Sequence, residues 1–154
     1  MILRILQVGK TRSGWLKEGI GEYLKRLGPM ARIEVTDIGD VGLKTAGNTE
    51  SVKSREAALC LKRITSDDFV ILLDERGEAK TSLEFAGFLH SLSAERSVVF
   101  VIGGVYGAHV SLRARADAFL SLSAMTFTHQ MARLVLIEQI YRALMINQGR
   151  SYHY

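Results

Sequence analysis

The segment SLSAMTFTHQMARLVLIEQIYRAL, residues 121–144, sets four ionisable side chains among residues that favour burial: His129, Arg133, Glu138 and Arg142. A histidine exchanges a proton near neutral pH, so His129 is a candidate acid–base group. It also stands where a helix would begin, just after Thr128, and a plain helix-start role is the competing reading. Glu138 precedes Arg142 by one helical turn, the favourable order for an ion pair along a helix, and reads as structural. On a helical wheel His129, Arg133, Leu136, Ile137, Ile140 and Leu144 share one side. Leu134, Glu138, Tyr141 and Met145 share another, with Arg142 beside them. An apolar stripe that wide exceeds what one sheet face covers. One side is therefore expected on the chain's own core and the other on a second copy across a two-fold axis.

Three other segments suit a small ligand. They are Leu73-Asp74-Glu75-Arg76-Gly77, Gly103-Gly104-Val105-Tyr106-Gly107 and Leu122-Ser123-Ala124-Met125-Thr126-Phe127, each following an apolar run. Small residues let backbone N–H and C=O groups approach a planar ligand, and Leu73, Leu122, Met125 and Phe127 could wall it. With no lysine or arginine fork, the set suits an adenine-bearing ligand read by backbone better than a nucleoside triphosphate. Phosphate-loop chemistry is excluded: VGKT, Val8–Thr11, has Arg4 where the motif needs its first glycine. The dinucleotide fingerprint fails too, because IGGVYG is G-G-x-x-G after a late strand, not G-x-G-x-x-G after the first.

Periodicity supplies the elements that must hold these residues. A strand is expected over Ile2–Val8, then a helix capped by Ser13 with Leu16, Ile20, Tyr23, Leu24 and Leu27 on one face, stopped by Gly28-Pro29. Arg32–Ile38 alternates like a half-buried strand, and the glycine-rich stretch 39–48 reads as a mobile loop. A helix with Ala57, Cys60, Leu61 and Ile64 on one face follows. Phe69–Leu73 and Val98–Ile102 are continuous apolar runs, as in strands covered on both faces. Between them Thr81-Ser82-Leu83-Glu84 forms a capping box for a helix through Leu92. A short helical piece, a last strand over Ala118–Ser123 and a helix from Thr128 to Gly149 complete the chain. This alternation is α/β with a mainly parallel sheet and flanking helices.

The totals agree with one domain over residues 1–154, of which 47% are hydrophobic. No signal peptide or membrane span is expected, since Arg4 interrupts the apolar start and the last helix carries four ionisable groups. The single cysteine, Cys60, fits a reducing cytoplasmic setting, and no Cys/His spacing suits a metal. Net charge is +4, with 12 Lys/Arg against 7 Asp/Glu in residues 1–63 and 3 against 7 in residues 64–100. A basic N-terminal half is compatible with RNA. Trp15 reads as a packing residue.

The motifs VIGGVYG and LSLSAMTFTHQMARLVLIEQIYRA, the terminal Tyr152-His153, and the supporting VGK (Val8–Lys10) and EYLKRLGP (Glu22–Pro29) resemble the ribosomal RNA large-subunit methyltransferase H family, of the SPOUT class. The resemblance covers essentially the whole chain. It implies a C-terminal trefoil knot, a homodimer and S-adenosylmethionine as methyl donor. The implied reaction is methylation of N3 of a pseudouridine in 23S rRNA, within the large subunit or the 70S ribosome. The implied cofactor contacts are Leu73, Gly103 and the run Leu122, Ser123, Ala124, Met125, Thr126 and Phe127. Because N3 carries a proton, His129, Tyr152 and His153 are the candidate catalytic groups, with His153 supplied by the partner's tail. Arg142, Tyr152 and His153 are candidate RNA-binding residues, and Arg133 is the candidate phosphate ligand. Lys10, Arg12, Lys17, Lys25 and Arg26 are expected to face the ribosome. Two positions depart from many relatives: Thr128 replaces a proline before the histidine, and the chain ends in Tyr154. The competing reading is a non-catalytic, ribosome-binding dimer of the same fold.

Overall fold

The computed structural model describes residues 1–154 as strands β1 Ile2–Val8, β2 Arg32–Ile38, β3 Asp68–Ala79, β4 Ser97–Ile102 and β5 Ala118–Ser121. The helices are α1 Gly14–Leu27, α2 Leu43–Ala46, α3 Thr49–Leu61, α4 Ser82–Ser91, α5 Val110–Arg115 and α6 His129–Asn147. All pairings are parallel, in the order β2-β1-β4-β3-β5. Alternate side chains of each strand go to opposite faces, which splits the core in two. Leu3, Ile5, Val98, Phe100 and Ile102 pack under α1, α4 and α6. Leu6, Val8, Val70, Leu72, Val99 and Val101 pack under α3 and α5. With both faces covered, every residue of β4 is buried, which is why its sequence shows no alternation.

Local signals place most boundaries. The Thr81 hydroxyl accepts from the Glu84 N–H while the Glu84 carboxylate accepts from the Thr81 N–H, closing the capping box of α4. Thr128 caps α6 through the Met131 N–H at 3.2 Å, and Gly149 adopts φ +66 just beyond its end. Ser13 stands at the N-cap of α1 without a side-chain capping bond. The 39–48 segment contains one helical turn, α2, and Ile64 lies beyond the end of α3.

One expectation is corrected. β3 runs six residues past Leu73, and both Leu73 and Glu78 face Leu120 of β5, so residues 74–77 bulge out of the ladder. A Cβ on Gly77 would lie 2.8 Å from the Phe119 carbonyl carbon, so only glycine lets the bulge pass this close to β5. The setting of α6 bears on its wide apolar stripe. It lies between α1 and α4, and none of residues 129–146 is fully exposed. Gly19 of α1 admits Leu134, Tyr23 meets Tyr141 at 5.8 Å between ring centroids, and Asn147 donates to the Ala86 carbonyl of α4. Part of the wide apolar girth of α6 is covered by the chain's own helices, while Leu134, Tyr141 and Met145 on its second side stay only partly buried. No helix is long and apolar enough to cross a membrane.

Candidate active site

In a parallel sheet the carboxyl ends of the strands and the loops leaving them form the natural ligand crevice. Here the loops after β4 and β5 and the bulge of β3 converge on one cavity of about 1210 Å³, closed on one side by the start of α6. Leu73, Gly103, Leu122, Ser123, Met125, Thr126, Phe127 and His129 all line it; Ala124 lies in the same loop without lining it. The loop after β5 is bent by its own side chains. Ser121 Oγ lies within hydrogen-bond distance of the Glu75 and Ser123 carbonyls, and Ser123 Oγ accepts from the Met125 N–H at 2.9 Å.

The charged side chains of the cavity are largely committed to one another. Arg113 donates to Asp74, holding that carboxyl below the usual carboxylate range, and its guanidinium sits 5.1 Å above the Phe119 ring. Lys53 of α3 pairs with Glu50 at 3.5 Å, and Glu50 also meets His109 at 3.3 Å. Glu75 takes part in no ion pair; it accepts the Thr126 hydroxyl. Sequence reasoning had placed Asp74 and Glu75 at the site, but it missed Arg113, Glu50 and Lys53. Those three stand in helices without a motif, and only the fold brings them to the crevice.

His129, the first residue of α6, is half-buried. Burial first, then Arg133 and Arg12, lower its pKa from 6.5, against a smaller opposing effect of Asp40. The imidazole is therefore neutral at pH 7 and able to accept a proton. Its neighbour Gln130 ties α6 to the loop after β1, donating to the Lys10 carbonyl at 2.9 Å and accepting from the Arg12 N–H at 3.1 Å.

Arg133 is not available to a phosphate. It is 2% exposed, and its guanidinium donates to the Val8 carbonyl at 2.6 Å, the Gly9 carbonyl at 2.9 Å and the Thr11 hydroxyl at 2.9 Å. These acceptors lie at the end of β1 and just beyond it, and Arg133 donates to them from within. Trp15 is also corrected: it is 62% exposed at the cavity's edge, not packed in the core.

Arg142, Tyr152 and His153 gather elsewhere. Glu138 takes two bonds from Arg142, at 3.0 and 2.8 Å, and the Arg142 guanidinium lies 4.7 Å from the Tyr152 ring centre. Tyr152 stacks edge-on against Tyr141 at 4.8 Å, and Arg142 lies 3.4 Å from His153 Nδ1. Burial, Tyr23 and Glu138 all raise the Tyr152 pKa, so its hydroxyl stays protonated. Arg142 is 13 residues along α6 from His129, roughly 20 Å at 1.5 Å per residue, and none of the three lines the cavity.

Comparison with known proteins adds the deciding observation. A family model described as "Predicted SPOUT methyltransferase" matches residues 1–153. The chain belongs to the SPOUT methyltransferases. It is 43% identical to ribosomal RNA large subunit methyltransferase H of Geobacter metallireducens, over 100% of this chain and 99% of the relative. The protein of that name from Desulfitobacterium hafniense strain DCB-2 is also 43% identical, over 98% of both chains. Its counterpart in Carboxydothermus hydrogenoformans is 42% identical over 99% of both. Within the SPOUT methyltransferases, the chain is therefore a member of the ribosomal RNA large-subunit methyltransferase H family.

The residues at the cavity fit S-adenosylmethionine. Gly103, Gly104 and Gly107 present bare backbone, Leu73, Leu122 and Phe127 give apolar walls, and Glu75 offers an unpaired carboxylate to a cationic ligand.

Proposed function

We propose that this protein transfers the methyl group of S-adenosylmethionine to N3 of a pseudouridine in 23S rRNA, working on the large subunit or the 70S ribosome in the cytoplasm. The observation that carries the reading is the convergence of three strand-end segments and a neutral histidine on one cavity, in a chain matched end to end by an rRNA methyltransferase family. Bound there, the donor would supply an electrophilic methyl on a sulfonium. Leu73, Gly103, Leu122, Ser123, Met125, Thr126 and Phe127 would hold it through backbone and apolar contact, and Glu75 would offer its carboxylate to the donor's positive charge. His129 accepts the N3 proton as the nitrogen becomes nucleophilic. Holding N3 on the methyl–sulfur axis supplies much of the rate enhancement.

Tyr152 and His153, in the tail after α6, gather at Arg142 and do not line their own cavity, so in this reading they serve the cavity of a second copy. The homodimer rests on that separation of the tail from its own cavity lining and on exposed apolar residues at the cavity mouth: Trp15, Val105, Val110 and Met125, the last 76% exposed. Arg142, held by Glu138, sets the tail in place and offers its remaining donors to RNA. Lys10, Lys17 and Lys25 take part in no ion pair and are the candidate phosphate contacts. Arg12 and Arg26 are partly neutralised by Asp40 and Glu22. The trefoil knot belongs to the same proposal.

The test is mass mapping of 23S rRNA after purified ribosomes meet the protein and S-adenosylmethionine. A single 14-dalton gain on a pseudouridine is expected, the mass of a CH₂ unit. RNA binding without that gain would favour the non-catalytic dimer.

A further inference from the structure

Glu56 of α3 is 6% exposed and pairs with no cation, yet it lies directly behind the glycine loop of the cavity. Its Oε1 accepts the Val41 N–H at 3.4 Å, from the segment following β2. Its Oε2 occupies the space where a side chain on residue 104 would begin: a Cβ there would lie 2.5 Å from that oxygen. Burial, and Asp40 nearby, push the carboxyl's pKa upward, as expected of an acid without a compensating charge. The helix that carries it is firmly seated. Asn48 caps α3 through the Ser51 N–H at 2.7 Å, and Val52, Ala57 and Cys60 are buried around Glu56. The carboxylate thus lies between two loops, one leaving β2 and one leaving β4: one oxygen accepts from Val41 and the other fills the space beside Gly104.

We propose that Glu56 is a positioning residue for methyl-donor binding: it braces the Gly103–Gly104 turn against the Val41 segment, so that the backbone facing the cavity is preset before the donor arrives. The inference rests on the reading of the cavity as the donor site. Without the brace, the turn gains freedom that binding must remove, and affinity falls. Glutamine keeps the volume and the acceptor for Val41, so it preserves the function. Alanine keeps neither.

The test is calorimetric titration of S-adenosylmethionine into wild type, Glu56→Ala, Glu56→Gln, Gly104→Ala and the Glu56→Ala/Gly104→Ala double variant, each checked by circular dichroism. Glu56→Ala is expected to raise the dissociation constant about tenfold, and Glu56→Gln by no more than about threefold. Gly104→Ala drives a methyl group into the carboxylate and weakens binding at least as much. In the double variant that collision is gone, so the two losses combine to much less than their product. Wild-type affinity in Glu56→Ala, or losses that simply multiply, would overturn the inference. If Glu56→Ala does not fold, Glu56→Gln and Gly104→Ala decide it: a large loss in the first or none in the second overturns it. A wild-type protein that binds no donor at all would overturn the reading of the cavity instead.

Discussion

Replacing Arg133 separates a structural arginine from an RNA-binding one. The guanidinium makes three hydrogen bonds of 2.6–2.9 Å, two of them to the backbone carbonyls of Val8 and Gly9. A hydrogen bond from a charged group contributes about 1.5–3 kcal/mol, and an acceptor stranded in the interior loses that stabilisation. Two stranded carbonyls therefore cost about 3–6 kcal/mol, while removing a buried cation with no ion-pair partner gives some of this back. Arg133→Met, which keeps much of the volume, should lower stability by about 3 kcal/mol, a large part of the roughly 5–15 kcal/mol typical of a domain. Urea unfolding followed by circular dichroism reads this directly. At a slope near 2 kcal/mol per molar, the midpoint falls by about 1.5 M. Affinity for RNA in the folded variant should change little. A midpoint shift below about 0.3 M together with lost RNA affinity would refute the reasoning and restore Arg133 as a phosphate ligand.

Three further outcomes are expected. Gly77→Ala places a Cβ within 3.0 Å of backbone atoms of Phe119, Leu120 and Asp74, none of which moves cheaply; it should lose about 3 kcal/mol in the same urea assay or fail to fold. Thr81→Ala removes the cap of α4, away from the cavity; a loss of about 1 kcal/mol with unchanged donor affinity by calorimetry is expected. The acid limb of the pH–kcat/KM profile should have its midpoint below 6.5, because burial, Arg133 and Arg12 outweigh Asp40 in holding His129 neutral. His129→Asn should remove that limb and most of the turnover. For the same sign, His129 costs no stability above pH 6.5, and stability falls as the pH drops from there through its lower folded value.

The parts of this molecule that depend on local pattern could be read from the chain. The unbroken apolar run of β4 announced a strand covered on both faces, and Thr81–Glu84 announced the start of α4. The three cavity segments were found because small residues followed strands. What escaped was set by long-range packing. DERGEA, residues 74–79, has no strand alternation, and its pairing exists because β5 lies alongside. The breadth of α6 was evident, but periodicity cannot say which surface covers it, and α1 and α4 cover part of it within the chain. Arg133 has the chemistry of a phosphate ligand, yet its acceptors lie more than a hundred residues earlier in sequence. Glu56 carried no motif; it gained a role when the fold set it behind Gly104.

The claim that the convergent loops form a methyl-donor site is tested most directly by titrating S-adenosylmethionine into the wild type and Gly103→Val. A Cβ at Gly103 makes only ordinary contacts, the nearest at 3.5 Å, so the fold should tolerate the change while a bulkier side chain enters the cavity. Saturable binding by the wild type, abolished in a Gly103→Val protein of unchanged circular dichroism, is the predicted result. Equal binding by the two proteins, or none by either, would contradict it.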